Sequence, residues 1–196
     1  MKYSFFALLS RLRNISRWTL MRNTSVENVQ EHSHMVAVIA HALAVIRRDV
    51  MGLEADPERE AAIALFHDAS EIFTGDLPTP IKYFDPDIMA AYKRVESCAS
   101  AKLLTALPKE MRSSYSTLLS PDNGAQISSI VKAADKLAAY IKCLEELKSG
   151  NQEFKNAAEQ SRAKLNALCM PEVDYFIRHF IPAFELTLDE LDFTMD

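Results

Sequence analysis

Four ionisable residues lie where the sequence pattern predicts a buried environment: His32, His67, Asp68 and Asp135. A buried, unpaired carboxylate costs free energy, so side chains of this kind need partners. Two imidazoles and two carboxylates could share one divalent cation, and such nitrogen and oxygen donors suit Mn, Fe, Co, Ni or Zn. Taken singly, each residue could instead be a hydrogen-bonded core histidine or a helix-surface carboxylate. The combination favours a metal site.

Glu71 extends this set. It follows His67 by four residues and Asp68 by three, so on a continuous helix the three side chains would share one face. The alternative is an ordinary ion-pair partner on the surface of that helix. The other three histidines are expected to be surface or structural residues; they are His34, His41 and His179.

Three predicted helices position these residues. His32 fills the one vacancy in the apolar seam of a helix over about 29–50, so it points towards the core. His67 and Asp68 follow a helix that begins at Asp56-Pro57, an N-cap with proline at the first helical position. Asp135 lies at the edge of the apolar stripe of a helix over 125–148. The apolar members of the first seam are Val29, Val36, Ile39, Leu43, Ile46 and Val50.

The remaining pattern is also helical. Glycine is scarce, at 4 residues, while alanine and leucine are abundant, and this favours helices over sheets. Two prolines after Gly75 predict a loop without a helix over 75–80. No repeat or linker is evident, so residues 1–196 are expected to form a single domain. Further predicted elements are helices over 3–13, 86–107, 109–119, 152–169 and 171–191, an irregular segment over 17–28, and a turn over 121–124.

Composition excludes several classes of function. The net charge of -5 argues against binding to nucleic acid polymers through a basic surface. No apolar run approaches the roughly 20 residues that span a bilayer, so no membrane partner is expected. The apolar patch at 5–9 is too short for a signal peptide, and three scattered cysteines without a CxxC pair indicate reduced thiols. A cytoplasmic location is therefore expected.

The His67-Asp68 pair, with His32 upstream and Asp135 downstream, resembles the pattern of the HD-domain metal-dependent phosphohydrolases, an all-helical family. The flanking sequence is similar, more specifically, to that of bacterial 5′-deoxynucleotidases of the YfbR type. This resemblance extends from Phe5 to about Leu191. The segments that carry it are SRWTLMRN, ENVQEHSHMVAVIAHAL, HDASEIFTGDLPTPIKYF, VKAADKLAAYIKCLEEL and YFIRHFIPAFELTLDEL.

The resemblance implies an all-α fold, a single HD-domain helical bundle, and one divalent transition metal, with Co²⁺ or Mn²⁺ expected. His32, His67, Asp68 and Asp135 would hold this ion. Glu71 would orient or deprotonate the attacking water, or protonate the leaving ribose oxygen. Family members also pair as homodimers, so a homodimer is expected.

The substrate implied is a deoxyribonucleoside 5′-monophosphate, with little base preference and selection against ribonucleotides and 3′-monophosphates. Arg17 would bind the phosphate and assist catalysis, because a guanidinium fork suits phosphate geometry. Trp18 would lie near the nucleotide, although a tryptophan at the edge of the core is an alternative. His32 and Asp68 would also contact the substrate, and the loop Asp76, Leu77, Pro78 and Thr79 would contact the sugar.

Within that loop, Asp76 could accept a hydrogen bond from the 3′-hydroxyl, while close packing excludes a 2′-hydroxyl. The alternative is an ordinary turn in which Asp76 caps the next element. Two other functions remain open for the whole chain. One is an HD hydrolase for a nucleoside triphosphate, (p)ppGpp or a cyclic dinucleotide, and the other is a helical binding or scaffold protein with a structural metal.

Overall fold

The all-α prediction is confirmed. The computed structural model describes residues 2–82, 84–119 and 128–191. Within these ranges ten α-helices are present, and the only extended pairing is an isolated antiparallel bridge between Ser16 and Asn28. The helices are α1 (Phe5–Leu9), α2 (Val29–Val45), α3 (Pro57–Phe66), α4 (Glu71–Thr74), α5 (Thr79–Lys82), α6 (Pro86–Thr105), α7 (Arg112–Leu119), α8 (Ser129–Lys148), α9 (Lys155–Asn166) and α10 (Pro171–His179).

Helix α2 lies at the centre, packed against α3 and α8, and α9 packs along α8. The main apolar core joins side chains from α2, α3, α8 and α10, and its burial supplies the main favourable free energy of folding. This core fixes the helix that carries His32 against the one that carries Asp135. In the described part of the chain, no helix is both long and apolar enough to cross a bilayer.

Helix α2 begins at a fixed residue because Asn28 and Glu31 form a capping box. Asn28 Oδ1 accepts from the Glu31 N–H at 3.0 Å, and Glu31 Oε2 accepts from the Asn28 N–H at 3.2 Å. The predicted seam is buried except for Val50, which is 54% exposed. The helix passes into a π-helical turn at Ile46–Val50. A π-helical turn contains more residues than an α-helical turn, so Val50 is rotated out of the seam.

Helix α3 begins as predicted, with Asp56 accepting from the Arg59 N–H at 3.0 Å. Helix α3 ends at Phe66, so His67, Asp68 and Glu71 do not lie on the continuous helix that would give them one shared face. Residues 67–70 form tight turns with hydrogen bonds between residues three apart, such as Glu71 N–H to Asp68 O at 3.0 Å, and α4 starts only at Glu71. A break of this kind redirects Glu71 relative to a straight helix.

Two further predictions need correction. The prolines after Gly75 do not prevent a helix, since α5 begins at Thr79 with Pro80 as its second residue, where a missing N–H is tolerated. The last predicted helix is too long: α10 ends at His179, because Pro182 cannot continue a helix, and 3-10 turns follow at Ile181–Glu185 and Leu188–Glu190. The predicted turn over 121–124 and the predicted start of α8 at 125 lie outside the described residues.

Candidate functional site

The structure brings His32 of α2 and Asp135 of α8 into contact. His32 Nε2 lies 3.1 Å from Asp135 Oδ1, with the imidazole fully buried and the carboxylate side chain 42% exposed. Burial acts against ionisation of Asp135, but the hydrogen bond from His32 and the charges of the imidazoles outweigh it and lower the pKa of Asp135 to about 2. This carboxylate is therefore ionised, and it lies against the buried imidazole of His32.

His67 and Asp68, in the turn after α3, complete the group. Asp68 Oδ2 lies 3.1 Å from His67 Nε2 and 3.7 Å from His32 Nε2. The Nδ1 atom of His67 lies 2.7 Å from the Ala64 carbonyl oxygen, which can only accept, so Nδ1–H donates and Nε2 faces the site. Burial lowers the pKa of His67, but the Asp68 carboxylate outweighs it and raises the pKa to about 9.

Three of these four residues have donor atoms close enough to share one divalent ion, and Asp68 lies beside them with its Oδ2 3.1 Å from His67 Nε2. One donor atom from each of His32, His67 and Asp135 lies within 4.8 Å of the others. His67 Nε2 is buried and makes no well-aligned hydrogen bond among the described residues, although Asp68 Oδ2 lies 3.1 Å away, and a metal ion would satisfy both atoms. Imidazole nitrogens with carboxylate oxygens suit a transition metal better than Mg²⁺. The remaining histidines are exposed, as expected, at His34, His41 and His179.

Glu71 is buried beside this group, with 6% of its surface exposed. Its Oε2 atom has no hydrogen-bond partner among the described residues. Burial raises the pKa of Glu71 to about 9, and the charges of Asp68 and Asp76 act in the same direction. A carboxyl group with such a pKa can hold a proton at neutral pH, next to the predicted metal residues.

Arg17 reaches the same group from the irregular segment before α2. Its Nη1 atom lies 3.5 Å from Asp68 Oδ2, and its Nε donates to Glu27 Oε2 at 3.1 Å. The guanidinium side chain is only 13% exposed. A guanidinium has five N–H donors, so the contact at Nε leaves others for an anionic ligand.

Trp18 follows Arg17 with a left-handed backbone, at φ 57°. Its Nε1 donates to the same Glu27 Oε2 at 3.0 Å, and its ring packs against the buried Phe154 with 5.4 Å between ring centroids. The interpretation of Trp18 as a residue at the edge of the core is thus correct in part. The hydrogen bond to Glu27 also keeps it adjacent to Arg17.

Sequence reasoning missed Glu27. It joins the two predicted substrate residues, yet it lies in a segment without periodicity, ten residues from Arg17. One signal could have found it: residues 1–26 contain five cations and no acid, so Glu27 is the first carboxylate available to them.

The loop after α4 also faces the site. Gly75, at φ 71°, ends α4 in a backbone conformation that favours glycine, and its N–H donates to the Glu71 carbonyl oxygen at 2.8 Å. Asp76, Leu77 and Pro78 are partly buried, and Thr79 begins α5. Burial raises the pKa of Asp76, while the charge of Arg17 opposes this, so the two side chains act on each other.

Comparison with known proteins agrees with this geometry. Residues 4–184 match the family described as 5′-deoxynucleotidase YfbR-like. The chain is 49% identical over 188 residues to a 5′-deoxynucleotidase of Vibrio parahaemolyticus, covering 95% of this chain and 97% of the relative. It is also 49% identical over 188 residues to the 5′-deoxynucleotidase YfbR of Escherichia coli, covering 95% and 94%.

Solved structures share the fold. An HD-domain phosphohydrolase from Listeria innocua is 26% identical, with a TM-score of 0.77, covering 92% of this chain and 88% of the other. The HD phosphohydrolase DatZ of cyanophage S-2L, solved with dA and one catalytic Zn²⁺, is 18% identical with a TM-score of 0.59, covering 93% and 99%. The chain therefore belongs to the 5′-deoxynucleotidase YfbR-like family and is a hydrolase with the fold of the HD-domain phosphohydrolases.

Proposed function

We propose that the enzyme hydrolyses deoxyribonucleoside 5′-monophosphates to the deoxyribonucleoside and inorganic phosphate. The observation that carries this proposal is the position of Arg17, whose Nη1 lies 3.5 Å from Asp68 in the same cluster as His32, His67 and Asp135. A phosphate monoester carries two negative charges, and a cation beside a set of metal ligands suits that charge. The names of the relatives support the choice of substrate.

His32, His67, Asp68 and Asp135 would hold one divalent ion, with Co²⁺ or Mn²⁺ expected. When bound, such an ion lowers the pKa of a water molecule and neutralises charge that develops on the phosphoryl group. His67 would use Nε2, because the Ala64 carbonyl oxygen holds its Nδ1–H and so fixes the ring.

Besides the residues that would hold the metal, Arg17 and Glu71 are the side chains that would take part directly in the reaction. Arg17 binds phosphate oxygens through its Nη groups, and its charge does not titrate away at physiological pH. Attack by water breaks the bond between phosphorus and the 5′ oxygen of the sugar, which must gain a proton as it leaves. Glu71 would move that proton or orient the water, and its buried Oε2, which lacks a partner among the described residues, supports this role.

The loop of Asp76, Leu77, Pro78 and Thr79 would hold the sugar, with Asp76 accepting from the 3′-hydroxyl. Exclusion of a 2′-hydroxyl by this loop would select deoxyribonucleotides over ribonucleotides. The base would meet mainly the face of Trp18, and stacking on an aromatic face tolerates any base. A 3′-monophosphate would place its phosphate away from Arg17 and the metal ligands.

The test is phosphate release from a panel of deoxyribo- and ribonucleoside 5′-monophosphates and 3′-monophosphates, with metals added back after chelation. We expect turnover of deoxyribonucleoside 5′-monophosphates with any base. Faster turnover of a nucleoside triphosphate, (p)ppGpp or a cyclic dinucleotide would instead support another type of HD hydrolase. Bound metal without turnover of any of these would support a binding or scaffold protein.

The proposal includes one domain over residues 1–196 that forms a homodimer in the cytoplasm, on the strength of the family resemblance. Light scattering should give twice the chain mass of 22.1 kDa, and a value near 22.1 kDa would exclude the dimer. A single cooperative unfolding transition would support one domain, and fractionation of cells would test the location.

A further inference from the structure

We propose that Glu27 is the positioning residue that holds Arg17 and Trp18 in one fixed arrangement, and that it thereby couples recognition of the phosphate to recognition of the nucleoside. This inference rests on the proposed function, which assigns the phosphate to Arg17 and the nucleoside to Trp18. Glu27 does not itself touch the substrate. It acts through the two side chains that do.

A single carboxylate oxygen joins the two residues. Glu27 Oε2 accepts from Arg17 Nε at 3.1 Å and from Trp18 Nε1 at 3.0 Å. The Glu27 side chain is 17% exposed, so water competes little for this oxygen. Hydrogen bonds to an ionised acceptor are stronger than neutral ones, and two such bonds to one atom fix the donors relative to each other.

The backbone around Trp18 is shaped for this contact. Its φ of 57° lies in the left-handed region, which a bulky residue rarely adopts unless its surroundings impose it. Two sets of contacts impose it here. Asn23 Nδ2 donates to the carbonyl oxygens of Trp18 and Met21 at 3.2 and 3.0 Å, while Glu27 holds the indole N–H.

Glu27 also binds Arg17 through the backbone. The Arg17 N–H donates to the Glu27 carbonyl oxygen at 2.9 Å, and the Val29 N–H donates to the Ile15 carbonyl oxygen at 3.0 Å. These bonds pair the two ends of the segment just before α2. The side-chain contact of Glu27 is therefore anchored to the first turn of the helix that carries His32.

The arrangement decides which donors remain for a ligand. Because Arg17 Nε is bound to Glu27, the guanidinium presents its Nη groups to Asp68 and to a phosphate. Because the indole N–H is also bound, Trp18 offers a base its ring surface and no donor. An indole without a free donor cannot distinguish bases by hydrogen bonding, which agrees with the proposed tolerance of base identity.

Steady-state kinetics test the proposal with Glu27→Ala and Glu27→Gln, and with the exposed Glu159→Gln of α9 as the matched control. We expect Glu27→Ala to lower kcat/KM for a deoxyribonucleoside 5′-monophosphate about tenfold or more, the size of a lost hydrogen bond to a charged group, mainly through a higher KM. Glu27→Gln should lose less, since its one amide oxygen can still accept. Glu159→Gln should match the wild type.

Fluorescence gives an independent readout that does not require substrate. Trp18 is the only tryptophan, so the emission spectrum reports on this indole alone. A neutral amide oxygen holds the indole N–H less strongly than a carboxylate does, so Glu27→Gln should change the emission and increase quenching by acrylamide, at unchanged circular dichroism, while Glu159→Gln should leave both as in the wild type. This measurement holds even if Glu27→Ala fails to fold.

A double-mutant cycle with Arg17→Ala separates the two proposals. If Glu27 acts partly through Arg17, Glu27→Ala should cost clearly less in the Arg17→Ala background than in the wild type, the remaining loss being that of the Trp18 contact. Wild-type kinetics for Arg17→Ala would overturn the phosphate role of Arg17 and thus the proposed function. If Arg17→Ala causes a large loss and Glu27→Ala has a fully additive effect, the positioning role alone would be overturned. The same holds if Arg17→Ala causes a large loss and Glu27→Gln leaves both the kinetics and the emission unchanged.

Discussion

Glu146 of α8 accepts hydrogen bonds from both the backbone N–H and the hydroxyl of Thr24, at 2.8 and 2.7 Å. Lys142, one turn earlier, pairs with the other oxygen of the same carboxylate. The segment over residues 15–28 is therefore attached to the helix that carries Asp135. Arg17 and Trp18 in this segment, which we propose bind the substrate, are thereby held against the proposed metal ligands by this buried ion pair as well as by the apolar core.

Breaking this ion pair should be costly. Glu146→Gln leaves Lys142 buried without its counter-charge, so we expect a loss of about 3–5 kcal/mol in the free energy of unfolding, measured by urea denaturation. The adjacent Glu145→Gln is the control, because Glu145 is exposed. A loss no larger than that of the control would show that the pair contributes little.

The same contacts predict the response to acid. Burial alone would raise the pKa of Glu146, but Lys142 and the hydrogen bonds from Thr24 and Asn151 outweigh it and hold the pKa well below its usual 4.5. A carboxyl with a depressed pKa contributes stability that is present above its unfolded pKa and is lost as the pH falls. The free energy of unfolding of the wild type should therefore drop below about pH 4.5, and that of Glu146→Gln should drop less. Parallel curves from pH 7 to pH 3 would contradict this.

Removal of the metal should abolish activity. We expect EDTA to stop phosphate release, and Co²⁺ or Mn²⁺ to restore it better than Mg²⁺, which binds imidazole poorly. His67→Ala and Asp68→Ala should lose bound metal and activity together, as measured by elemental analysis and phosphate release. Full activity in protein shown to be free of metal would contradict the assignment of these ligands.

Local signals in the sequence predicted much of the fold and the cluster of ionisable side chains. Asp56 was predicted as an N-cap and directly precedes α3, and the apolar pattern placed the start of α2 at residue 29. His32 stood out because an imidazole interrupts an apolar seam. Such features depend on residues three or four apart, and their contacts form within one helix whatever surrounds it.

The parts that were not predicted depend on contacts beyond one helix. The turn between α3 and α4 places Glu71, but hydrogen bonds between residues three apart leave no mark in an apolar repeat. Glu27 binds two side chains across an irregular segment, and Glu146 binds Thr24 from 122 residues away. Pairings of this kind arise from the packed fold.

Glu71 should be essential for turnover but not for binding of the metal. Glu71→Gln keeps the size of this buried side chain and removes its ability to exchange a proton, so we expect kcat to fall by about 10²–10⁴. Elemental analysis should still find one metal per chain, because the role assigned to Glu71 is proton transfer. Loss of the metal in this variant would show that Glu71 is a ligand instead.

Selection of the sugar should depend on Asp76. A ribonucleotide differs from the substrate by one added hydroxyl, which a merely apolar pocket rejects by only about a hundredfold. A carboxylate that fixes the 3′-hydroxyl against the loop of residues 76–79 could reject it more strongly. We therefore expect a much higher kcat/KM for dAMP than for AMP, and Asp76→Ala should lower kcat/KM for dAMP by about 10–100-fold without loss of metal.

A substrate without the 3′-hydroxyl, 2′,3′-dideoxyadenosine 5′-monophosphate, isolates the contact between Asp76 and that hydroxyl. The wild type should have a low kcat/KM for this substrate, and Asp76→Ala should change that value little. An equal loss for both substrates on Asp76→Ala would assign this carboxylate another role, and comparable kcat/KM for AMP and dAMP in the wild type would refute the role of the loop.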